Sequence, residues 1–178
     1  TGNALLVEHT TNDRYWGATN WTIYNSVTGA WAETSNQENN KTYHEWTVDE
    51  DQYYRVGAYA NNEDADTRNW TPFVTIYTKP DWPMLVVSRQ SADKTKVNVT
   101  INNYATYPAR HRVYRKTTAN PSWMEVGSVA HDATNVYVDT VPLGTNPTYR
   151  VLTETPENAA QSDYSPEKSA GDGYSVPL

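Results

Sequence analysis

Ile23-Tyr24 followed by Tyr54-Arg55-Val56 in the first half of the chain returns as Val113-Tyr114 followed by Tyr149-Arg150-Val151 in the second. A chain that repeats itself in this way is built from copies of one structural unit. The full 178 residues divide into two units of about 90, an ordinary domain size. Each unit must then assemble its own core, and the supply of side chains limits how. Hydrophobic residues make up 37% of the chain, and 14 Tyr and 7 Trp stand among many Thr and Val. Such residues suit a pleated, half-buried surface, so the composition predicts an all-β chain with thin, two-sheet cores carried by aromatic side chains.

Reading along the chain, short runs with strand-like period fall at Ala4 to His9, Trp21 to Tyr24, Ala30 to Glu33, Tyr43 to Val48, Tyr53 to Tyr59 and Trp70 to Thr78. Turn-forming clusters such as Ser26-Val27-Thr28-Gly29 and Asn61-Asn62-Glu63-Asp64 separate them, at intervals that suit a sandwich. Pro80 and Pro83, which cannot donate to a ladder, bracket a short linker at 80–83. A second series follows at Met84 to Ser88, Lys96 to Ile101, Arg112 to Lys116, Trp123 to Val129, Val136 to Thr140, Thr148 to Thr153 and Asp163 to Lys168. The expected organisation is a domain at 1–79, the linker, a domain at 84–170 and an extended tail at 171–178.

These features resemble a tandem pair of fibronectin type III domains. The resemblance rests on an apolar residue six positions before a Tyr near the start of the sixth strand, Val48 before Tyr54 and Leu143 before Tyr149. It rests also on a third-strand aromatic, Tyr24 and Tyr114, each followed by a hairpin ending in Trp, at Trp31 and Trp123. It implies immunoglobulin-like β-sandwiches with a tyrosine corner, of the kind found in phage structural and bacterial surface proteins. Two departures stand out. The second strand carries no Trp, having Leu5, Leu6 and Val7 in one domain and Val97, Val99 and Ile101 in the other. The first domain begins on what aligns with the second strand, so its first edge strand is expected to be missing.

An uncovered edge invites a partner strand. Tyr174, Val176 and Leu178 in the tail alternate as a strand would. Either this segment or one from another protein docks on that edge, or the tail simply frays and the shortened sandwich is self-sufficient.

Catalytic signatures are missing. The histidines His9, His44, His111 and His131 form no paired-ligand pattern and read as solvated strand residues. There is no Cys, no G-x-S-x-G elbow and no phosphate-binding glycine loop. No catalytic residue, cofactor or metal site is expected; the acidic runs Asp49-Glu50-Asp51 and Asn61 to Asp66 lack the ligand spacing of a calcium loop. A net charge of -7 argues against nucleic acid as a partner, and no apolar run is long enough for membrane insertion. A signal peptide or only an initiator Met could have preceded Thr1. Four Asn-x-Ser/Thr patterns, at Asn20, Asn40, Asn69 and Asn98, say little in so Asn- and Thr-rich a chain.

Loop aromatics are the better functional sign. Tyr15-Trp16 and Trp21 flank Gly17 to Asn20, and Tyr104, Tyr107 and Pro108 occupy the corresponding loop of the second domain. Trp21 reads as core. The expected partner-binding residues are Tyr15, Trp16, Tyr107, Tyr174, Val176 and Leu178. The function expected from these features is non-catalytic. The chain is read as a virion component, a phage capsid-decorating or tail-associated subunit contacting other structural proteins or copies of itself. The alternative is a secreted or cell-surface module for adhesion or for binding surface glycans; a third reading makes both domains spacers in a larger polysaccharide-degrading enzyme.

Overall fold

The structure, a computed structural model, describes residues 3–8, 18–33, 43–62, 65–70, 72–131, 135–157 and 159–173. The chain divides into two compact units, Thr1–Thr78 and Lys79–Leu178. The described residues of both are strands and connections, with no helix.

Unit 1 carries β1 (Asn3–Glu8), β2 (Ala18–Asn25), β3 (Trp31–Glu33), β4 (Tyr43–Val48), β5 (Tyr53–Asn62), β6 (Ala65–Trp70) and β7 (Val74–Tyr77). Antiparallel β1 and β4 make one sheet, and β3-β2-β5 make the other, with β6 and β7 successive partners along the far edge of β5. A single strand was expected over Trp70 to Thr78. The ladder instead breaks there, at a point where Pro72 has no N–H to give.

Unit 2 carries β8 (Met84–Arg89), β9 (Lys96–Asn102), β10 (Arg110–Lys116), β11 (Met124–Ala130), β12 (Val136–Thr140), β13 (Thr148–Glu154) and β14 (Lys168–Ser169). Its sheets run β12-β9-β8 and β11-β10-β13-β14. Two packed antiparallel sheets in this order make a fibronectin type III-like sandwich. Strands β4-β1 of unit 1 stand where β12-β9 stand in unit 2, and nothing among the described residues of unit 1 matches β8. Among the described residues, then, unit 1 shows no counterpart of that first edge strand.

The cores differ accordingly. In β9 the side chains of Val97, Val99 and Ile101 alternate inward and pack against Val113, Tyr149 and Val151 of the facing sheet. The core cluster described in unit 1 is Ile23, Val48, Tyr54 and Val56, with Leu5, Trp46 and Ile76 half-buried around them. A recess of about 210 Å³ lies between β3 and β4, lined in part by Ile23, Ala32, Trp46 and Tyr54. Trp21 is buried, as expected.

The two tyrosine corners are built differently. In unit 1 the Asp49 N–H donates to Tyr54 Oη at 3.1 Å, and Val48 lies in the core. In unit 2 Leu143 is 45% exposed and the buried apolar residue is Val141. Tyr149 Oη donates to Asp139 Oδ2 at 2.8 Å, and Arg115 Nη1 reaches the same oxygen at 2.7 Å. The corner Tyr of unit 2 thus closes a buried ion pair instead of a backbone turn. Burial first, and then its bond to Asp139, push the Tyr149 phenol well above the ordinary tyrosine range.

The last segment of unit 2 is a strand only at Lys168–Ser169. Before it, two serines take over the ladder. Ser162 N–H donates to Thr153 O and its Oγ accepts from Thr153 N–H, while Ser165 makes the same pair of bonds with Val151. The two residues between them, Asp163 and Tyr164, are left exposed.

The expectation of solvated histidines fails at His111, which is 2% exposed with Nδ1 3.1 Å from Thr153 Oγ1. It sits on the inward-facing phase of β10, next but one to Val113. Burial, and after it the charge that His131 can carry 6.2 Å away, push its imidazole down to about 4. Between that value and its unfolded pKa of about 6.5, the unfolded chain binds the extra proton, so stability falls as pH drops through this window. The full effect is about 3 kcal/mol at 1.4 kcal/mol per pKa unit. Urea unfolding at pH 7 and pH 5 should show unit 2 losing stability with acid, and His111→Gln should flatten that loss. An equal loss in the variant would contradict the assignment.

Candidate functional site

Strand alternation sends neighbouring residues to opposite faces. In unit 1, Ile23 pairs with Val56 in the core, so the next pair, Tyr24 with Arg55, stands on the outer face. Trp31 of β3 pairs with Tyr24 and extends the row. Phe73 follows Pro72 in the break between β6 and β7, and lies over Gly57, where a Cβ would come within 3.0 Å of its ring. Glycine at this point in β5 is what lets the ring lie close to the sheet.

These four side chains form a recess of about 320 Å³ lined by Tyr24, Trp31, Arg55 and Phe73. The Trp31 ring is 6.1 Å from Tyr24 and 6.4 Å from Phe73, and the Arg55 guanidinium is 5.2 Å from the Phe73 centroid. Trp31 remains 51% exposed. Among the described residues, Arg55 has neither a hydrogen-bond acceptor nor a carboxylate partner for its guanidinium.

Unit 2 has the same set. Tyr114 pairs with Arg150 across β10 and β13, Trp123 precedes β11, and Tyr164 projects from between the two serines. Here the set is closed. Arg150 lies 3.6 Å from the Tyr164 centroid, 4.3 Å from Trp123 and 5.9 Å from Tyr114. Lys116 Nζ covers Trp123 at 4.5 Å and pairs with Glu167 at 2.7 Å. Arg150 Nε is buried without an acceptor, so the guanidinium is held by rings. Beside it, Arg112 pairs with Glu125 and Glu154, and Arg110 with Glu154. Arg110, Arg112 and Lys116 on this face are thus paired with carboxylates, Arg150 is held between rings, and Trp123 is covered.

Of the expected binding residues, only Tyr107 is described. Tyr107 is half-buried in the β9–β10 connection. Tyr15, Trp16, Tyr174, Val176 and Leu178 lie outside the described residues. The start of the tail is anchored within unit 2: Arg89 Nε donates to Gly171 O at 3.1 Å, and Gly144 N–H to Asp172 O at 3.0 Å. In the sequence, Tyr24, Trp31 and Arg55 serve as marks of the fold, and Phe73 is one residue of a strand run, so the recess is not visible there. The signal was present in the repeated Tyr-and-Arg pairing itself, since a residue beside a core position on a strand must face out.

The comparison between units predicts unequal responses to truncation of the covering ring. Tyr164→Ala uncovers a sandwiched guanidinium and should destabilise unit 2 by about 1–2 kcal/mol. Phe73→Ala, whose Arg55 is already exposed, should cost unit 1 under about 1 kcal/mol. Urea unfolding of each variant checks this; equal costs would contradict the closed and open assignments.

No protein-family model matches this chain, and no curated protein matches it. Among solved structures, it is similar to a two-domain fibronectin type III segment of chicken tenascin. That likeness has 14% identity and a TM-score of 0.44, over 96% of this chain and 91% of the other. It is also similar to the chicken interferon gamma receptor alpha chain, at 12% identity and TM-score 0.42, over 92% of this chain and 89% of that one. A structure of titin kinase and its flanking domains matches at 21% identity and TM-score 0.41, over 52% of this chain and 17% of its own. The fibronectin type III-like assignment rests on strand order and core, not on these likenesses.

Proposed function

We propose that this chain is a non-catalytic interaction module that holds a protein partner at the outer-face recess of unit 1. The observation that carries the reading is the set of exposed Trp31 and Phe73 and half-buried Tyr24 around about 320 Å³ of open space, with Arg55 beside them. Clustered aromatic surface left in water marks an interaction site more often than chance exposure does. Trp, Tyr and Arg are the residue types that dominate binding energy at protein interfaces. Unit 2 supports the reading by contrast, because there the same residues are satisfied internally.

The setting we propose is an assembly, with copies of the chain or other structural proteins as partners and a virion as the specific case. The free side of β1, unpaired among the described residues, is in keeping with such a role. A surface glycan on an extracellular module is the competing occupant. The rings of the recess offer a sugar face a stacking surface, but the described lining has few donors and acceptors for sugar hydroxyls beside them.

Selection of a random-peptide library against the intact chain, with a glycan array in parallel, tests the proposal. Enriched peptides should lose roughly tenfold or more in affinity on Trp31→Ala, the scale of an interface anchor. Peptides indifferent to that change, or glycan binding that disappears with it, would overturn the protein-partner reading. Quantitative mass spectrometry of purified particles tests the virion case, which requires the chain at a fixed copy number.

A further inference from the structure

The two units solve the same local problem in opposite ways, and the difference identifies what the open one lacks. In unit 2 the space between Trp123 and Tyr164 is filled by a cation of the chain's own, Arg150, with Lys116 on the outer side of Trp123. The neighbouring charges are matched by Glu125, Glu154 and Glu167. In unit 1 the arginine does not enter between the rings. The Arg55 guanidinium lies over the Phe73 ring, Trp31 meets Phe73 edge-on, and no carboxylate pairs with the guanidinium among the described residues.

A group entering this recess meets three ring surfaces and one unneutralised guanidinium. A cation placed where Arg150 lies in unit 2 would have favourable ring faces but would be driven against Arg55. A neutral apolar group would fill the space and leave the guanidinium unmatched. An apolar group carrying a carboxylate satisfies both demands: its hydrocarbon part covers Trp31 and Phe73, and its oxygens accept the paired N–H groups that arginine offers in a fixed fork.

Resting on the recess as the docking site proposed above, we infer that its occupant is an acidic and apolar segment of a partner protein, one that places an aromatic or aliphatic side chain next to an Asp or Glu carboxylate. The chain's net charge of -7 does not oppose this. At physiological salt, interactions between exposed charges are screened beyond about 8 Å. The side chain nearest the incoming carboxylate is Arg55.

The test uses small probes and the intact chain. 3-Phenylpropionate, 3-phenylpropanamide and phenethylammonium share a ring and a short linker and differ in charge. Each is titrated while the Trp31 indole N–H and Arg55 Nε–H signals are followed by NMR, with Trp31→Ala and Arg55→Gln as controls. The inference expects the carboxylate to bind roughly five- to tenfold more tightly than the amide, as for a partly exposed arginine–carboxylate pair. Arg55→Gln should bring acid and amide to parity while amide binding persists, and Trp31→Ala should remove both. Preference for phenethylammonium, or equal binding of all three, would overturn the acidic occupant while leaving the recess as a binding site. Tighter binding of methyl glucuronide than of phenylpropionate would overturn it in favour of an acidic sugar. No probe-dependent shift at Trp31 would overturn the docking site itself.

Discussion

The pairing of β2 with β5, and of β10 with β13, is the constraint on which the rest of each unit depends. The register that brings Ile23 opposite Val56 in the core brings Tyr24 opposite Arg55 on the other face. In unit 2 it brings Val113 opposite Val151 and Tyr114 opposite Arg150. A slip of one residue would exchange the two faces, losing core and site together. The buried face has little freedom: Val113 and Val151 are fully enclosed, and Val56 nearly so. Core packing therefore fixes where the aromatic and arginine side chains stand outside, with no additional device.

What closes one face and opens the other is the last segment of each unit. In unit 2, Ser162 and Ser165 each supply an N–H and an Oγ to β13, so a stretch without regular ladder pairing still satisfies the backbone. Tyr164 is thereby held over Arg150. In unit 1 the interruption falls at Pro72, and Phe73 lies over Gly57, to one side of the arginine. A guanidinium between rings is favourable by about 0.5–2 kcal/mol, depending on how far it is desolvated. Unit 2 obtains that stabilisation from its own residues. Unit 1, among its described residues, leaves Trp31 exposed and the Arg55 guanidinium without a carboxylate.

Much of the fold was legible because the determining signals are local. The alternation of Val97, Val99 and Ile101 marks a strand without reference to the rest of the chain, and the repeat of Tyr54-Arg55-Val56 in Tyr149-Arg150-Val151 marks two units. Counting one series against the other also anticipates that no described strand of unit 1 matches β8. Less was visible where tertiary packing decides. A spacing of six residues pointed to Leu143, but the longer connection in unit 2 puts Val141 inside and hands the corner bond to Asp139. His111 looked like any polar residue on a strand, and its burial follows from the phase of β10. The site was least legible. Loop aromatics such as Tyr107 attracted attention because loops carry recognition in this fold, while Trp31 and Phe73 acquire meaning only when the sheet places them beside Tyr24 and Arg55.

The central claim is that one aromatic–arginine arrangement is covered in unit 2 and open in unit 1. Fluorine NMR of the intact chain carrying 5-fluorotryptophan, with each resonance assigned by single Trp→Phe substitution, measures this directly through the solvent isotope shift between H2O and D2O. The account predicts a large shift at Trp31 and a small one at Trp123, where Arg150 and Lys116 cover the ring. Equal shifts, or a shielded Trp31, would contradict it and remove the basis for a docking site on unit 1.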